Sequence, residues 1–467
     1  DTKVSHFGVE GNESGKDKVV LIENCEDTNG IVYFEMGFPV DSFSPEEYKY
    51  LPLFANCVAS TGWKGKSWSE CADIAGVCTS GVVTRLFTGA LINSEYGLKK
   101  QNELEKFNIC GRDYMMFETK FICEDIDKAF DMFGDFITGY EFEDDKHLAT
   151  IIEENRNGIK SCVVPRGNRF AARRAQCHLE HSGSVDEIWH GITQLFAIQR
   201  ISQEKLSDLK KKFLDFKTRL SAAGCFVHVT ADSASLEIVK SKLPKFAGKN
   251  GFFAPLPKTA VDEEAFVKAT YLPGENKVEM NESFPIKSQV GYAATYMPGA
   301  KYGTKEYAAA NVLSHWLSGT YLWERIRTTG GAYGAYAGCN PGADSFYFST
   351  YRDPSAAKSK NLFPKVLKEA GEADLDDDET VRLITGTYGD LVQPRSPYGK
   401  GNVALYRTIF AITDEDRGNV LKDLVQTGKH EILQCAKSIL LTSEKSRSVL
   451  MCENPEKNTG VIIQLPL

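Results

Sequence analysis

One pattern occurs twice in this chain, and the repetition limits its fold more than any other feature. Residues 38–61 read FPVDSFSPEEYKYLPLFANCVAST, and residues 297–320 read MPGAKYGTKEYAAANVLSHWLSGT. At one constant offset the copies share Pro39 with Pro298, an aromatic at Phe43 and Tyr302, and Glu47 with Glu306. Tyr48 matches Tyr307, and Phe54 meets the apolar Leu313. Each copy follows an alternating apolar run, GIVYFEMGF in one case and QVGYAATYM in the other, which has the period of a strand. Each then passes through a proline-containing turn into a helix with an apolar face.

The rest of each half agrees with a duplication. Helical patterns cover roughly 124–138, 145–160, 184–199 and 202–219 in the first half, followed by a strand at CFVHVT, 225–230. In the second half they cover roughly 355–371, 377–392 and 416–440, followed by SVLMCEN and VIIQLPL. The stretch KLPKFAGKNGFFAPLPKTAVDEEA between them, rich in Pro, Gly and Lys, reads as a linker. The expected fold class is α+β: two homologous domains, each a mostly antiparallel sheet with helices on one face. The expected boundaries are 1–250, a linker at 251–270, and 271–467.

Bulk properties narrow the function classes. At 467 residues the chain exceeds one ordinary core. Its 42% apolar and 25% charged residues give the balance of a globular protein, and no run approaches the ~20 apolar residues of a membrane span. A net charge of −8 argues against a nucleic-acid partner and suits cationic ones. Twelve cysteines without a CxxC pair read as reduced and mostly buried, which favours a reducing compartment such as the cytosol, a mitochondrion or a plastid. The start at Asp1, without an initiator methionine or targeting pattern, suggests a processed product or a piece of something longer.

The stretch WERIRTTGGAYGAYAG, residues 323–338, carries the candidate chemistry. The helix before it has Tyr307, Val312, Leu313, Trp316, Leu322 and Ile326 as its expected buried side. Gly330 and Gly331 end that helix, since glycine takes a left-handed cap at little cost. AYGAYAG and DSFYFSTY (344–351), joined by the turn residues NPGAD, then form a hairpin. Arg327 falls in the last helical turn and Tyr333 on the first hairpin strand, so the chain reversal can set both on one wall. A guanidinium beside a phenol is a donor pair able to grip a peptide carbonyl or a developing oxyanion. Arg325, two residues earlier, reads as a charge complementing the helix dipole.

LWERIRTTGGAYGA (322–335), YRDP (351–354) and ITGTYGDLVQPRSPYGKG (384–401) resemble the inverted-motif zinc metallopeptidases of the pitrilysin and insulysin family, closest to the presequence-protease and falcilysin branch. The resemblance covers essentially the whole chain, as the C-terminal half of such an enzyme. It implies a clamshell of two halves around a chamber that degrades unfolded peptides. It implies zinc held by an N-terminal half through His-x-x-Glu-His and a later Glu. It also implies that Arg327 and Tyr333 reach across to that site. The implied partners are the zinc-bearing half and unfolded peptides, with neither nucleic acid nor membrane.

This chain contains no His-x-x-Glu-His. The two helices in the motif's place read SPEEYKYLPLFAN and GTKEYAAANVLSHWL, with only His315, a core or interface histidine. The chain alone is therefore expected to bind no metal and to be inactive. CHLEHSG sets Cys177, Glu180 and His181 at the inverted spacing, but deep in the domain; an amphipathic helix is the favoured reading, with an independent metalloenzyme as the alternative. GNESGK (11–16) has one residue too few for a phosphate loop. A third class, an inert scaffold or binding subunit, has no physical need of the Arg327–Tyr333 pair.

Overall fold

Phe34 shows how the first core is made: its ring meets those of Phe130, Phe133 and Phe246 at centroid distances of 5.0, 5.6 and 5.8 Å. Burying one such side chain stabilises the fold by roughly 1.5–3 kcal/mol. A computed structural model describes residues 2–10, 18–92, 103–252, 254–256, 261–456 and 460–467. GNESGK at 11–16 and part of the 251–270 stretch lie outside the described residues.

Six strands build the first sheet: β1 (Thr2–Gly8), β2 (Lys18–Cys25), β3 (Ile31–Pro39), β4 (Val82–Phe87), β5 (Tyr114–Ile122) and β6 (Phe226–Ala231). Their spatial order is β1-β2-β6-β3-β5-β4. The second sheet holds β7 (Asn281–Pro285), β8 (Tyr292–Pro298), β9 (Gly334–Asn340), β10 (Ser345–Tyr351), β11 (Arg447–Cys452) and β12 (Val461–Ile462), in the order β12-β7-β11-β8-β10-β9. Five strands correspond one to one, β2 through β6 with β7 through β11. The orientations repeat as well: β2 with β6 and β7 with β11 are parallel, while β3 with β5 and β8 with β10 are antiparallel. The duplicated α+β plan with mostly antiparallel sheets is therefore present in the fold.

The second face of each sheet is not left to solvent. Gly167–Gln176, a helix of the first half, packs on β8, β10 and β11, where Phe170, Ala171 and Ala175 join Tyr292, Ala294 and Val449 in one apolar cluster. Pro397–Ile409, a helix of the second half, packs on β2 and β6, where Leu405 and Ile409 join Ile22, Met116 and Phe226. Each half thus lends a helix to the other's sheet. β3 is buried from Phe34 to Pro39, Glu35 included, whose carboxylate meets His228 and Arg85. Apolar surface on both sides of a sheet must find cover.

Several elements differ from the periodic pattern. The segment expected as one helix over 184–199 is two, His181–His190 and Ile192–Ile201, broken at Gly191. The 416–440 pattern is likewise two helices, Asp414–Gln426 and Lys429–Thr442, with Gly428 between them. VIIQLPL contributes only the two residues of β12. The Pro- and Lys-rich stretch begins inside a helix, Ser233–Asn250, which runs through Pro244 because Leu236, Val239, Leu243 and Phe246 bury one continuous face. Further on, Asp262 caps the short helix Glu263–Ala269, whose Phe266 is buried against Tyr48 and His181.

Candidate functional site

The helix Lys305–Trp316 starts at Thr304, whose hydroxyl accepts the Tyr307 N–H at 3.2 Å. All six residues expected on its inner side are buried: Tyr307, Val312, Leu313, Trp316, Leu322 and Ile326. The turns widen after Trp316, and Leu317–Thr328 is a π-helix, which ends with Thr329 N–H donating to Glu324 O at 2.9 Å. Such i→i+5 helices are rare and concentrate at functional sites. Nothing in the sequence of this segment announced it.

The chain then reverses over five residues. Gly331 takes φ +78°, a left-handed conformation that favours glycine, so the cap falls on the second of the two glycines. Gly331 N–H donates to Arg327 O and Ala332 N–H to Ile326 O, both at 3.0 Å. Tyr333 N–H donates to Arg352 O at 3.3 Å, leaving Tyr333 directly before β9 rather than within it. Ile326 and Ala332 are buried anchors, and the residue after each points outward. Two exposed side chains are thereby fixed on one surface: the Arg327 guanidinium carbon lies 6.0 Å from the Tyr333 ring centre.

Neighbours hold both groups in place. The Arg327 guanidinium sits 3.9 Å over the ring of Trp323, one helical turn back, a contact worth about 0.5–1 kcal/mol at an exposed site. Tyr333, 67% exposed, meets the Tyr351 ring edge-on at 5.7 Å, and Arg352 lies 5.5 Å over that same ring. Among the described residues no carboxylate pairs with the Arg327 guanidinium. Arg325 is different: it is clamped in a two-pronged ion pair with Glu369, one bond being 2.7 Å. Arg327 thus keeps free donors where Arg325 spends its own on the fold.

Trp323, Tyr351 and Arg352 belong to this surface, and motif reading quoted them without giving them a place. The signal for Trp323 was its spacing, four residues before Arg327 on a helix. Tyr351 and Arg352 become neighbours of Tyr333 only through the β9–β10 pairing, which sets Tyr351 opposite Gly334.

Cys177, Glu180 and His181 do not converge. Cys177 is buried against Arg174 and Arg447, its carbonyl accepting from Arg447 Nη1 at 2.5 Å. His181 Nε2 lies 2.7 Å from Asp113 Oδ2, and although burial works against its charge, Asp113 and Glu263 raise its pKa. Burial raises Glu180 as well, without bringing it to a shared centre. His315 pairs with Asp390 at 3.0 Å. Among the described residues no group of three His, Cys, Asp or Glu side chains is arranged to hold a metal, so these residues offer no set of ligands that fits a zinc ion. No described helix is long and apolar enough to cross a membrane.

Comparison with known proteins agrees with this architecture. The family of domains associated with M16 peptidases of subgroup C matches residues 3–201, and the family described as "PreP C-terminal domain" matches residues 281–452. Presequence protease 1, chloroplastic/mitochondrial, of Arabidopsis thaliana is 23% identical over 90% of this chain and 37% of its own length. The mitochondrial presequence protease of Saccharomyces cerevisiae is 26% identical over 91% of this chain and 42% of its own. The chain therefore spans about two fifths of the length of these relatives. In fold it superposes on the peptidase M16 inactive domain from Pseudomonas fluorescens with a TM-score of 0.61 and 14% identity, over 99% of this chain and 100% of that one. The two matched regions, one in each half of the duplication and together spanning most of its length, show that this chain belongs to the M16 peptidase family, where it corresponds to the C-terminal part.

Proposed function

We propose that this chain completes a zinc metalloendopeptidase that degrades unfolded peptides in a closed chamber, with Arg327 and Tyr333 as its contribution to the active site. The observation that carries the reading is their arrangement: two donors fixed by buried anchors, exposed, adjacent, and free of any described carboxylate. A zinc ion held in the N-terminal half would activate water and polarise the scissile carbonyl. The Arg327 guanidinium would hold the carbonyl oxygen of the substrate, and the Tyr333 hydroxyl would donate to the same oxygen as negative charge develops. Because both groups are placed before substrate arrives, their stabilisation costs little reorganisation.

A chamber closed by two halves admits chains with few tertiary contacts, so selection by size and flexibility follows. All twelve cysteines are unpaired thiols, which supports a reducing compartment. Among the reducing compartments, a mitochondrion or plastid is the one we favour, supported by the organelle names that presequence-protease relatives carry.

The test combines this chain with a zinc-bearing N-terminal half of the same family and follows cleavage of a quenched, unfolded peptide. Turnover should appear in the 1:1 complex and in neither half alone. A stable complex without turnover, or cleavage by this chain alone, would overturn the reading.

A further inference from the structure

The duplication makes its two outer strands comparable. β9 ends the second sheet and β4 the first, yet their free edges are treated differently. The π-helix Leu317–Thr328 lies along β9, and the Ala337 N–H donates to Ser318 Oγ at 2.9 Å. In the first half the helix Leu51–Ser60 meets β4 through a side chain, Thr84 Oγ1 donating to Ala55 O at 2.7 Å, while the helix directly before the strand, Trp68–Cys78, packs chiefly on the helix Ile126–Gly139. Among the described residues no backbone group of Val82–Phe87 bonds to anything beyond β5.

In front of that bare edge lies a cavity of about 1510 Å³, bounded by β4 and the helices Leu51–Ser60, Trp68–Cys78 and Asp145–Cys162. It exceeds the ~300–1,000 Å³ of ordinary small-molecule sites. Its lining is cationic in an otherwise acidic chain. Arg166 and Arg169 are exposed, and neither guanidinium meets a carboxylate among the described residues. Among the described residues Glu154 is the one acidic side chain in the wall. At the wall Trp68, 48% exposed, stacks on His147 at 4.8 Å and 8°.

We propose that this groove binds an extended acidic peptide, which adds to β4 as a further strand and sets its carboxylates against Arg166 and Arg169. An unprotected edge is a template for strand addition, and the unpaired guanidiniums supply the charge selection. The six residues of β4 offer roughly 20 Å of edge. This binding site is separate from the Arg327–Tyr333 surface and needs no catalysis, so its failure would leave the functional reading above intact.

The test is fluorescence anisotropy on the full chain alone. The probe is a doubly capped peptide of about eight alternating Glu and Val residues, with a Lys–Val peptide as its counterpart. The acidic probe should bind and the basic one should not. Methylating the backbone nitrogens of one alternate set of residues should weaken binding about tenfold or more, while the other set tolerates it. The double exchange Arg166→Glu and Arg169→Glu, at two exposed positions, should lower acidic binding about tenfold and admit the basic peptide. Equal binding of both methylated sets, binding of the basic probe by the native chain, or no binding overturns the proposal. A dimer that the charge exchange abolishes would give the groove to a second copy of this chain, and would overturn it too.

Discussion

Arg174 of the first half and Glu282 of the second form a two-pronged ion pair, both bonds 2.7 Å, with the arginine wholly excluded from solvent. The third arm of the guanidinium donates to Thr270 O at 2.8 Å. The pair joins a lent helix to β7, the second strand from one edge of the second sheet. Truncating Arg174 leaves Glu282 buried with only the more distant Arg447, 3.9 Å away, and takes the cation from Glu187 as well, so Arg174→Ala should cost about 3–5 kcal/mol. Urea unfolding checks this. Replacing both residues by apolar ones of similar volume should cost much less.

His178 lies beside the same junction, its Nε2 2.5 Å from Thr270 Oγ1. Burial, helped by Arg447 and Arg174, lowers its pKa from 6.5 to about 3. A base whose folded pKa is depressed binds its proton more tightly when unfolded. Its contribution is therefore intact above pH 6.5 and lost as pH falls toward 3. His178→Asn suits the left-handed backbone at φ +77° and removes the titration. Its unfolding free energy should fall less than that of the native chain between those pH values.

Gly401 tests the reciprocal lent helix. A Cβ there would stand 2.1 Å from Thr230 Oγ1 and 3.0 Å from Thr230 Cβ. Gly401→Ala should destabilise the chain by about 1–3 kcal/mol through overpacking. Gly418, also helical, has open space around its missing Cβ, and Gly418→Ala should be neutral or stabilising by up to about 1 kcal/mol. Equal thermal stability of the two variants would show that Pro397–Ile409 does not press on β6.

The duplication was legible because Pro39 and Pro298, with the residues around them, keep the strand–turn–helix pattern in both copies. The hairpin after Gly331 was legible for the same local reason. The lent helices were not. GNRFAARRAQ is absent from the expected helices, and Arg174 acquires a reason to be buried only when Glu282, over a hundred residues away, is placed against it. PYGKGNVALYRTI opens with proline and two glycines, which suggest a turn. Its close approach to Thr230 is what Gly401 serves. Arg327 and Tyr333 were readable as a pair from spacing and resemblance, whereas Trp323, Tyr351 and Arg352 needed the π-helix and the strand register.

Because Arg327 and Tyr333 are exposed and contribute little to the core, their loss should leave the fold intact. Arg327→Ala should lower unfolding free energy by about 0.5–1 kcal/mol, the worth of its contact with Trp323, and Tyr333→Phe should change it by no more than about 0.5 kcal/mol. A drop of several kcal/mol would make the pair structural.

The most direct measurement is the steady-state rate of Tyr333→Phe in the assembled two-half enzyme on an unfolded peptide. Removal of the hydroxyl donor should lower kcat about 10²–10³-fold with KM nearly unchanged. A variant turning over at the native rate would contradict the placement of Tyr333 at the reacting carbonyl.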